Sequence, residues 1–273
     1  MEKYRSDDIL TDEMKKAWLE EHNQQIRESE RYQTYGPIED EWVSQLIKRR
    51  DLKYFINLGC NTGEEIINLV RLLPPDQILH WFYVDILDFV LEYATKELSS
   101  IVGSDKVTSH HLCIHHENMG GRGIIGIPVS HGLETAGLGR RGRYRFTLPD
   151  DQYCTIMQYL DLINPLEDMA DFLSKSYLHI DIEGQDIRVV SDLIRHQYPI
   201  HHVRFEVTSF SKPLHSKLSP VMSYLKNLGL HKSSLWRNDW RNRTGAYNLT
   251  VSDGEIYISS VQHSSDFKFV RLV

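Results

Sequence analysis

Cysteine is scarce in this chain, with three residues among 273, and that scarcity excludes two kinds of small scaffold. Cys60, Cys113 and Cys154 are too few and too widely separated to build a disulfide framework or a zinc ribbon. A reducing compartment is the expected environment for such a chain.

An excess of basic charge is also missing. Lysine and arginine number 31, against 38 aspartate and glutamate residues, so the formal net charge is −7. Nonspecific nucleic-acid binding needs a broad basic surface, and this balance argues against one. We therefore expect no nucleic-acid partner.

Long hydrophobic runs are absent as well. The most apolar stretch, residues 78–91, is interrupted by His80, Asp85 and Asp88, so no membrane-spanning segment is expected. The first residues, MEKYRSDDILTDEMKK, are charged and lack the apolar core of a signal peptide. These features predict a cytoplasmic protein.

Residues 1–50 are predicted to form a helical N-terminal arm. Apolar side chains such as Trp18 and Ile26 stand among many charges, and Trp42 and Leu46 recur at helical spacing. Pro37 separates the two expected helices. A cap over one end of a core and a lid that closes over a ligand both remain open as roles for this arm.

Residues 51–273 are predicted to form one α/β domain. Short, dense apolar strands such as YFINL alternate with helices, which indicates a parallel sheet covered on both faces. Residues 118–150 interrupt this alternation with a segment rich in glycine and arginine. We expect an irregular functional insertion there, with one edge strand near residues 144–147.

The first strand of the domain ends in a turn of small side chains, GCNTG. Gly59 and Gly63 would allow a tight turn and let backbone N–H groups approach a ligand at the carboxyl end of the strand. A tight strand-to-helix turn also favours glycine for purely structural reasons. The GxxxG spacing differs from the GxGxxG fingerprint that binds a dinucleotide pyrophosphate.

The second strand ends FYVD, which places Asp85 one strand–helix–strand step beyond the glycine turn. A carboxylate there can accept hydrogen bonds from both hydroxyls of a ribose. The alternative is that Asp85 only caps the following helix. A ribose acceptor beside a turn without pyrophosphate-binding glycines fits a nucleoside such as S-adenosylmethionine.

Acidic residues gather where two later strands end. In YLHIDIEGQDIRVV, the side chains of His179, Asp181 and Glu183 would project from one face of a strand, and Glu206 ends the neighbouring strand. Such carboxylates can bind a hydroxyl, remove a proton or hold a divalent metal. They can also serve only as acceptors for loop N–H groups.

Four histidines crowd the third strand, His110, His111, His115 and His116. No cysteine or carboxylate stands at a spacing that would complete a zinc site with them. A solvated strand end is expected, with contact to adenine or substrate near Cys113 as the alternative.

Seven segments of the chain, taken together, carry a resemblance: NLGCNTG, FYVD, KVTSHHLCIHH, TIMQYLD, YLHIDIEGQDIRVV, VRFEV and LKNLGL. In this order they resemble the FkbM family of S-adenosylmethionine-dependent methyltransferases. The most specific piece, HIDIEGQDIRVV, is similar to the family's strand of form K-I-D-V-E-G-x-E with its following helix. The resemblance covers roughly residues 53–252.

The resemblance implies a class I methyltransferase fold, which is Rossmann-like. Its sheet has seven mostly parallel strands, the last one antiparallel, with helices on both faces. Family members transfer a methyl group to a hydroxyl, often on natural products or sugars, so a small-molecule or glycan acceptor is expected. Transfer to nitrogen or to a carboxyl group, or a cofactor-binding scaffold without transfer activity, stays open.

The resemblance also distributes the expected roles among residues. Asp181 and Glu183 are the expected catalytic acids, and Glu206 and His179 the expected acceptor-binding residues. No metal ligand is assigned, although a divalent metal held by the acids stays an open alternative. Asn57 and His179 depart from the family pattern, where aspartate and lysine are usual, and Cys60 stands where alanine is common. The expected cofactor-binding residues are Asn57, Gly59, Cys60, Asn61, Thr62, Gly63, Asp85, Ile86 and Cys113.

Overall fold

A computed structural model describes most of residues 50–198 and parts of both ends. The described residues are 10–28, 50–71, 73–74, 76–117, 123–127, 137–138, 144–166, 168–182, 185–196, 198, 202–207, 230–231, 245–252, 255–260 and 263–271.

The strands, numbered along the chain, are β1 (Tyr54–Leu58), β2 (His80–Asp85), β3 (Val107–His111), β4 (Cys113–His115), β5 (Ile125–Ile127), β6 (Gly137–Leu138), β7 (Tyr144–Phe146), β8 (Tyr153–Thr155), β9 (Ser176–Ile180), β10 (His202–Val207), β11 (Leu230–His231), β12 (Gly245–Ser252), β13 (Glu255–Ser260) and β14 (His263–Arg271). The helices are α1 (Asp12–Glu28), α2 (Glu64–Val70), α3 (Asp88–Val102), α4 (Ile156–Ile163), α5 (Met169–Ser174) and α6 (Asp186–Arg195).

The main sheet runs in the order β3-β2-β1-β9-β10-β12-β13-β14-β11. The five strands from β3 to β10 are parallel, and the other four add antiparallel. The predicted parallel sheet is confirmed for these five strands, but the expectation of seven strands with only the last one antiparallel was wrong, because the described residues form nine strands and four of them pair antiparallel. The last described residues pair as β13 and β14, which the sequence did not predict.

The order of the parallel strands reverses between β1 and β9. From β1 the chain builds β2 and β3 outward on one side, and it later returns to build β9 and β10 on the other. This is the organisation of a Rossmann-like α/β sheet, in which ligands bind at the carboxyl ends of the strands where the order reverses.

Helices cover both faces of the sheet, as predicted. On one face, β-strand side chains such as Ile56 and Ile180 pack on α4, α5 and α6. On the other, an aromatic stack packs on α2 and α3. In this stack the Phe55 ring lies 4.9 Å from the ring of Trp81 and 5.1 Å from that of Tyr177, measured between centroids.

Helix α4 corrects a second expectation, because the sequence predicts a strand over residues 156–159. A capping box starts the helix: the Thr155 hydroxyl accepts from Gln158 N at 3.3 Å, and Gln158 Oε1 accepts from Thr155 N at 2.9 Å. These reciprocal bonds satisfy backbone donors at the helix start, which favours helix over strand.

Part of the insertion is regular structure. Strands β5, β6 and β7 form a small antiparallel sheet, of which only β7 was predicted. Ile125, Leu138 and Phe146 from these strands are buried against residues that follow β2 and β3, including Leu87 and Cys113. The described part of the insertion therefore packs on the domain beside the carboxyl ends of the strands.

Tyr153 ties the two sides of the insertion together. Its hydroxyl donates to Gly123 O at 2.9 Å and accepts from Leu148 N at 2.9 Å. The arginines Arg140, Arg141 and Arg143 lie outside the described residues.

Helix α1 confirms helical structure in part of the expected N-terminal arm. Trp18 packs edge-on against Phe89 of α3 with ring centroids 6.0 Å apart, and Leu10 is buried in the same cluster as Leu87. Pro37, Trp42 and Leu46 lie outside the described residues, so the arm as a unit stays a prediction. Within the described part of the chain, no helix is both long and apolar enough to cross a membrane.

Candidate functional site

The turn between β1 and α2 lies at the reversal of strand order, as the sequence predicts, but the reason for glycine at position 59 is a contact within the protein. Gly59 adopts φ +78°, and a Cβ there would overlap the carbonyl oxygen of Asp181. The Gly59 and Cys60 N–H groups both donate to Val84 O, at 2.8 and 3.0 Å. Position 59 therefore requires glycine because the backbone of Asp181 approaches it closely. The expectation that N–H groups of the turn reach a ligand is corrected for Gly59 and Cys60, since both donate to Val84 O.

Further N–H groups of the turn also have protein partners. Asn61 N donates to Asp85 Oδ2 at 2.9 Å, and Gly63 N donates to Cys60 O at 3.0 Å. The turn instead holds two side-chain atoms, Asn61 Oδ1 and Thr62 Oγ1, that are buried without a hydrogen-bond partner. Buried polar atoms are nearly always paired in native proteins, so these two are candidates for contact with a ligand.

Asp85 fastens the end of β2 to the glycine turn. Its Oδ1 accepts from Leu87 N at 2.9 Å, while its Oδ2 accepts from Asn61 N. Burial raises the pKa of this carboxyl group above its ordinary value, and the hydrogen bonds from Leu87 and Asn61 oppose that rise. Each carboxylate oxygen has a second lone pair, so both can still accept from a ligand hydroxyl.

His111 continues the site from β2 to β3, where it stands in register with Asp85. Its Nε2 lies 3.1 Å from Ile86 O, and its Nδ1 lies 3.3 Å from Gln152 Nε2. Gln152 Oε1 is buried and has no partner. Gln152 could not be predicted as a site residue, because a glutamine in a short turn before a strand fits no motif.

The other histidines of this region have different hydrogen-bond partners. His110 Nδ1 lies 3.4 Å from the Tyr159 hydroxyl, on the face of the sheet that packs against α4, α5 and α6. His115 Nδ1 donates to His116 O at 2.9 Å. Among the described residues, no three histidine, cysteine or acidic side chains are arranged to hold a metal ion.

The three cysteines lie in or at the edge of the core, and contact of Cys60 and Cys113 with a cofactor stays a prediction. Cys113 is enclosed among apolar side chains, and burial raises the pKa of its thiol to about 12. Burial likewise raises the pKa of Cys154 to about 11. Cys60 is buried beside the glycine turn, with its Sγ 3.4 Å from Asn61 O.

Strand β9 brings His179 and Asp181 to the same carboxyl edge of the sheet. Asp181 N donates to Leu58 O at 2.8 Å, and the Asp181 side chain is exposed just beyond the strand. One residue inside the edge, His179 is buried with its Nδ1 2.9 Å from Asn57 Oδ1. An amide oxygen only accepts, so this nitrogen carries a hydrogen and donates it.

The structure does not describe the side chains of two expected acids. Glu183 lies outside the described residues, and only the backbone of Glu206 is described, opposite Ala246 in β12. Gln185, in the same signature, was not predicted as a site residue. Its side chain is buried, with Nε2 3.4 Å from Leu138 O of the insertion and Oε1 without a partner.

No protein-family model matches the chain, and no curated protein matches it. Among solved structures, it is similar to the methyltransferase FkbM from Methylobacillus flagellatus KT, with 14% identity, a TM-score of 0.36, and coverage of 72% of this chain and 44% of that one. The N-terminal domain of human METTL16 in complex with SAH gives 14% identity, a TM-score of 0.34, and coverage of 70% and 60%.

A human methyltransferase 10 domain containing protein gives 13% identity, a TM-score of 0.30, and coverage of 70% and 68%. The chain thus spans less than two thirds of the FkbM and METTL16 structures. Identities and TM-scores of this size assign neither a family nor an activity.

Proposed function

We propose that the chain is an S-adenosylmethionine-dependent methyltransferase that methylates a hydroxyl group of a small molecule, natural product or glycan. The observation that carries the proposal is a set of buried polar atoms at the carboxyl ends of the parallel strands that have no hydrogen-bond partner among the described residues. They are Asn61 Oδ1 and Thr62 Oγ1 after β1, Gln152 Oε1 beside the end of β3, and Gln185 Oε1 after β9.

These atoms fit a polar ligand that lies across the reversal of strand order. An unpaired buried polar group costs about 1–3 kcal/mol, so four at one edge are costly unless a ligand pairs with them. Asp85, which retains free lone pairs, is placed to accept from the two ribose hydroxyls.

The negative charge at the carboxyl edge of the sheet favours S-adenosylmethionine over a dinucleotide. Asp85 and Asp181 both stand at the carboxyl edge, and a sulfonium cofactor brings positive charge to it. A pyrophosphate would instead need the backbone N–H groups of the turn, and those of Gly59, Cys60, Asn61 and Gly63 already have protein partners.

When bound, S-adenosylmethionine supplies the methyl group, and the chain's residues position the acceptor for it. Asp181, an exposed carboxylate beside the glycine turn, would orient the acceptor hydroxyl and take its proton as the new carbon–oxygen bond forms. Glu183, Glu206 and His179 are proposed to contact the acceptor. The net charge of −7 supports a small-molecule acceptor rather than a nucleic acid.

Thr62→Val tests the cofactor site, because it should lower the affinity for the cofactor product without lowering the stability of the protein. Thr62 is fully buried and its hydroxyl is unpaired, so removal of the hydroxyl should keep or raise the free energy of unfolding, by up to about 1 kcal/mol. The same change should weaken the binding of S-adenosylhomocysteine several-fold in calorimetry. Loss of stability without loss of binding would assign the hydroxyl to the fold.

Thr108→Val is the matched control, because the Thr108 hydroxyl lies at the other end of the sheet, 2.7 Å from His80 Nε2. It should leave binding unchanged. Transfer itself is tested with labelled S-adenosylmethionine on panels of hydroxyl, amine and carboxyl compounds. Binding without any transfer would favour a scaffold, and transfer to amines or carboxyl groups would correct the acceptor class.

A further inference from the structure

The hydrogen bonds of His111 decide which end of the Gln152 carboxamide is left for a ligand. In a neutral imidazole one ring nitrogen carries a hydrogen and the other accepts; because Ile86 O can only accept, the His111 Nε2 that lies 3.1 Å from it is the nitrogen with the hydrogen. His111 Nδ1 is then an acceptor. Gln152 must therefore present its Nε2 to the ring, at 3.3 Å, and its Oε1 must point away from it.

The outward atom of Gln152 is thus an acceptor, and it is buried without a partner. Its counterpart in a ligand has to be a hydrogen-bond donor. A carbonyl oxygen at the same place would meet Oε1 with two acceptors face to face, which leaves both unpaired and desolvated.

The position of Gln152 relative to Asp85 indicates which part of a nucleoside this donor belongs to. Asp85 and His111 are paired in register on β2 and β3, and Gln152 lies beyond the His111 ring, just before β8. The proposed methyl transfer takes place at Asp181, which follows β9 on the far side of β1, so a nucleoside whose ribose is held at Asp85 would extend its base the other way, toward β3. Gln152 would then meet the edge of the base.

We propose that Gln152 Oε1 accepts a hydrogen bond from the 6-amino group of the bound purine, so that the site selects adenosyl over inosyl compounds. The inference rests on the proposed cofactor and deepens it, because it assigns the recognition of the base to Gln152 as oriented by His111. Both residues act on binding and take no part in methyl transfer.

The test compares S-adenosylhomocysteine with S-inosylhomocysteine, which differs by a keto oxygen in place of the 6-amino group. Calorimetry on the intact chain should show the adenosyl compound binding at least about tenfold more tightly. Gln152→Met keeps the length of the side chain but removes the acceptor. It should weaken adenosyl binding about tenfold, and inosyl binding should not weaken and should rise to the extent that the repulsion between the two acceptors is relieved.

A second variant acts on the orientation alone. His111→Phe keeps a ring but releases the carboxamide, which can then present either end, so the adenosyl preference should collapse while both compounds bind. Gln77→Met is the matched control, because Gln77 is another buried glutamine that precedes β2 at the opposite edge of the sheet. It should keep the wild-type preference.

The ratio of the two affinities separates the possible failures. A purely structural role for Gln152 would weaken both compounds equally and keep the ratio, which would overturn the inference but not the proposed function. A wild-type protein that binds the two compounds equally would also overturn it. A wild-type protein that binds neither would overturn the proposed function on which the inference rests.

Discussion

Replacement of Gly59 by alanine should destabilise the protein far more than the same change at Gly63. Both glycines adopt φ +78°, where an alanine costs about 1–2 kcal/mol. At Gly59, however, the new Cβ would overlap the carbonyl oxygen of Asp181 and lie 2.7 Å from its carbonyl carbon. At Gly63 the nearest atom would be Ala94 Cβ at 3.3 Å, followed by Cε2 and the hydroxyl oxygen of Tyr83 at 3.5 Å.

The difference in stability loss between the two variants depends on which atoms can shift to relieve the contact with the new Cβ. Two backbone segments meet at Gly59, so relief of the overlap has to separate the turn from the end of β9. That separation breaks the hydrogen bond from Asp181 N to Leu58 O and strains the one from Gly59 N to Val84 O, both 2.8 Å long. With the backbone term, Gly59→Ala should cost about 2–5 kcal/mol, against about 1–2 kcal/mol for Gly63→Ala.

Urea unfolding followed by tryptophan fluorescence would measure both variants against the wild type. Global stabilities are typically about 5–15 kcal/mol, so the Gly59 variant should unfold at a clearly lower urea concentration, or fail to fold at all. Equal losses at the two positions would refute the contact with Asp181 as the reason for glycine.

Three further predictions concern the site. Burial holds the pKa of Asp85 above its ordinary value, and ribose hydroxyls donate to the ionised form, so binding should release protons. Affinity for S-adenosylhomocysteine should therefore rise as the pH increases through the acid range, and Asp85→Asn should flatten this dependence; a flat wild-type profile would contradict the contact. Cys113 and Cys154, with pKa values raised to about 12 and about 11, should resist alkylation in the native protein at pH 8 and react after denaturation. Rapid native labelling of Cys113, seen by mass spectrometry, would show that it is accessible. Asp181→Asn should preserve folding and cofactor binding but lower turnover about 10²–10⁴-fold if the carboxylate takes the proton. If the acids hold a metal instead, a chelator should abolish wild-type activity and magnesium should restore it, whereas near-normal turnover of the variant would return Asp181 to a structural role.

The parallel strands of the sheet could be predicted because their signal is local. The segments that form β1, β2, β9 and β10 are short, apolar and bounded by turns, and each is a strand in the structure. The segment at residues 156–159 is equally apolar, but Thr155 and Gln158 form a capping box that starts a helix there. Apolar density alone does not distinguish the two cases.

The partners within the site could not be predicted, because they come from distant parts of the chain. The reason for glycine at position 59 is the backbone of Asp181, on the neighbouring strand. Asn57 and His179, which both depart from the pattern of the resembled family, are in register on β1 and β9 and share a hydrogen bond. Such pairs are set by the order of strands in the sheet, which local spacing does not encode.

The side chains of the central strands nevertheless become more polar toward the carboxyl edge of the sheet, where the proposed site lies. On the face that packs against α2 and α3, the strands begin with Trp81, Phe55 and Tyr177. Two residues later β1 and β9 carry the polar side chains of Asn57 and His179, and the three strands then lead to Asp85, Gly59 and Asp181. A row of aromatic side chains suits a covered face of a sheet, whereas amide, imidazole and carboxyl groups are costly there unless they are paired. The gradient therefore supports the proposed site at the carboxyl edge independently of any motif, and the Thr62 and Gln152 atoms that have no partner among the described residues lie at that same edge.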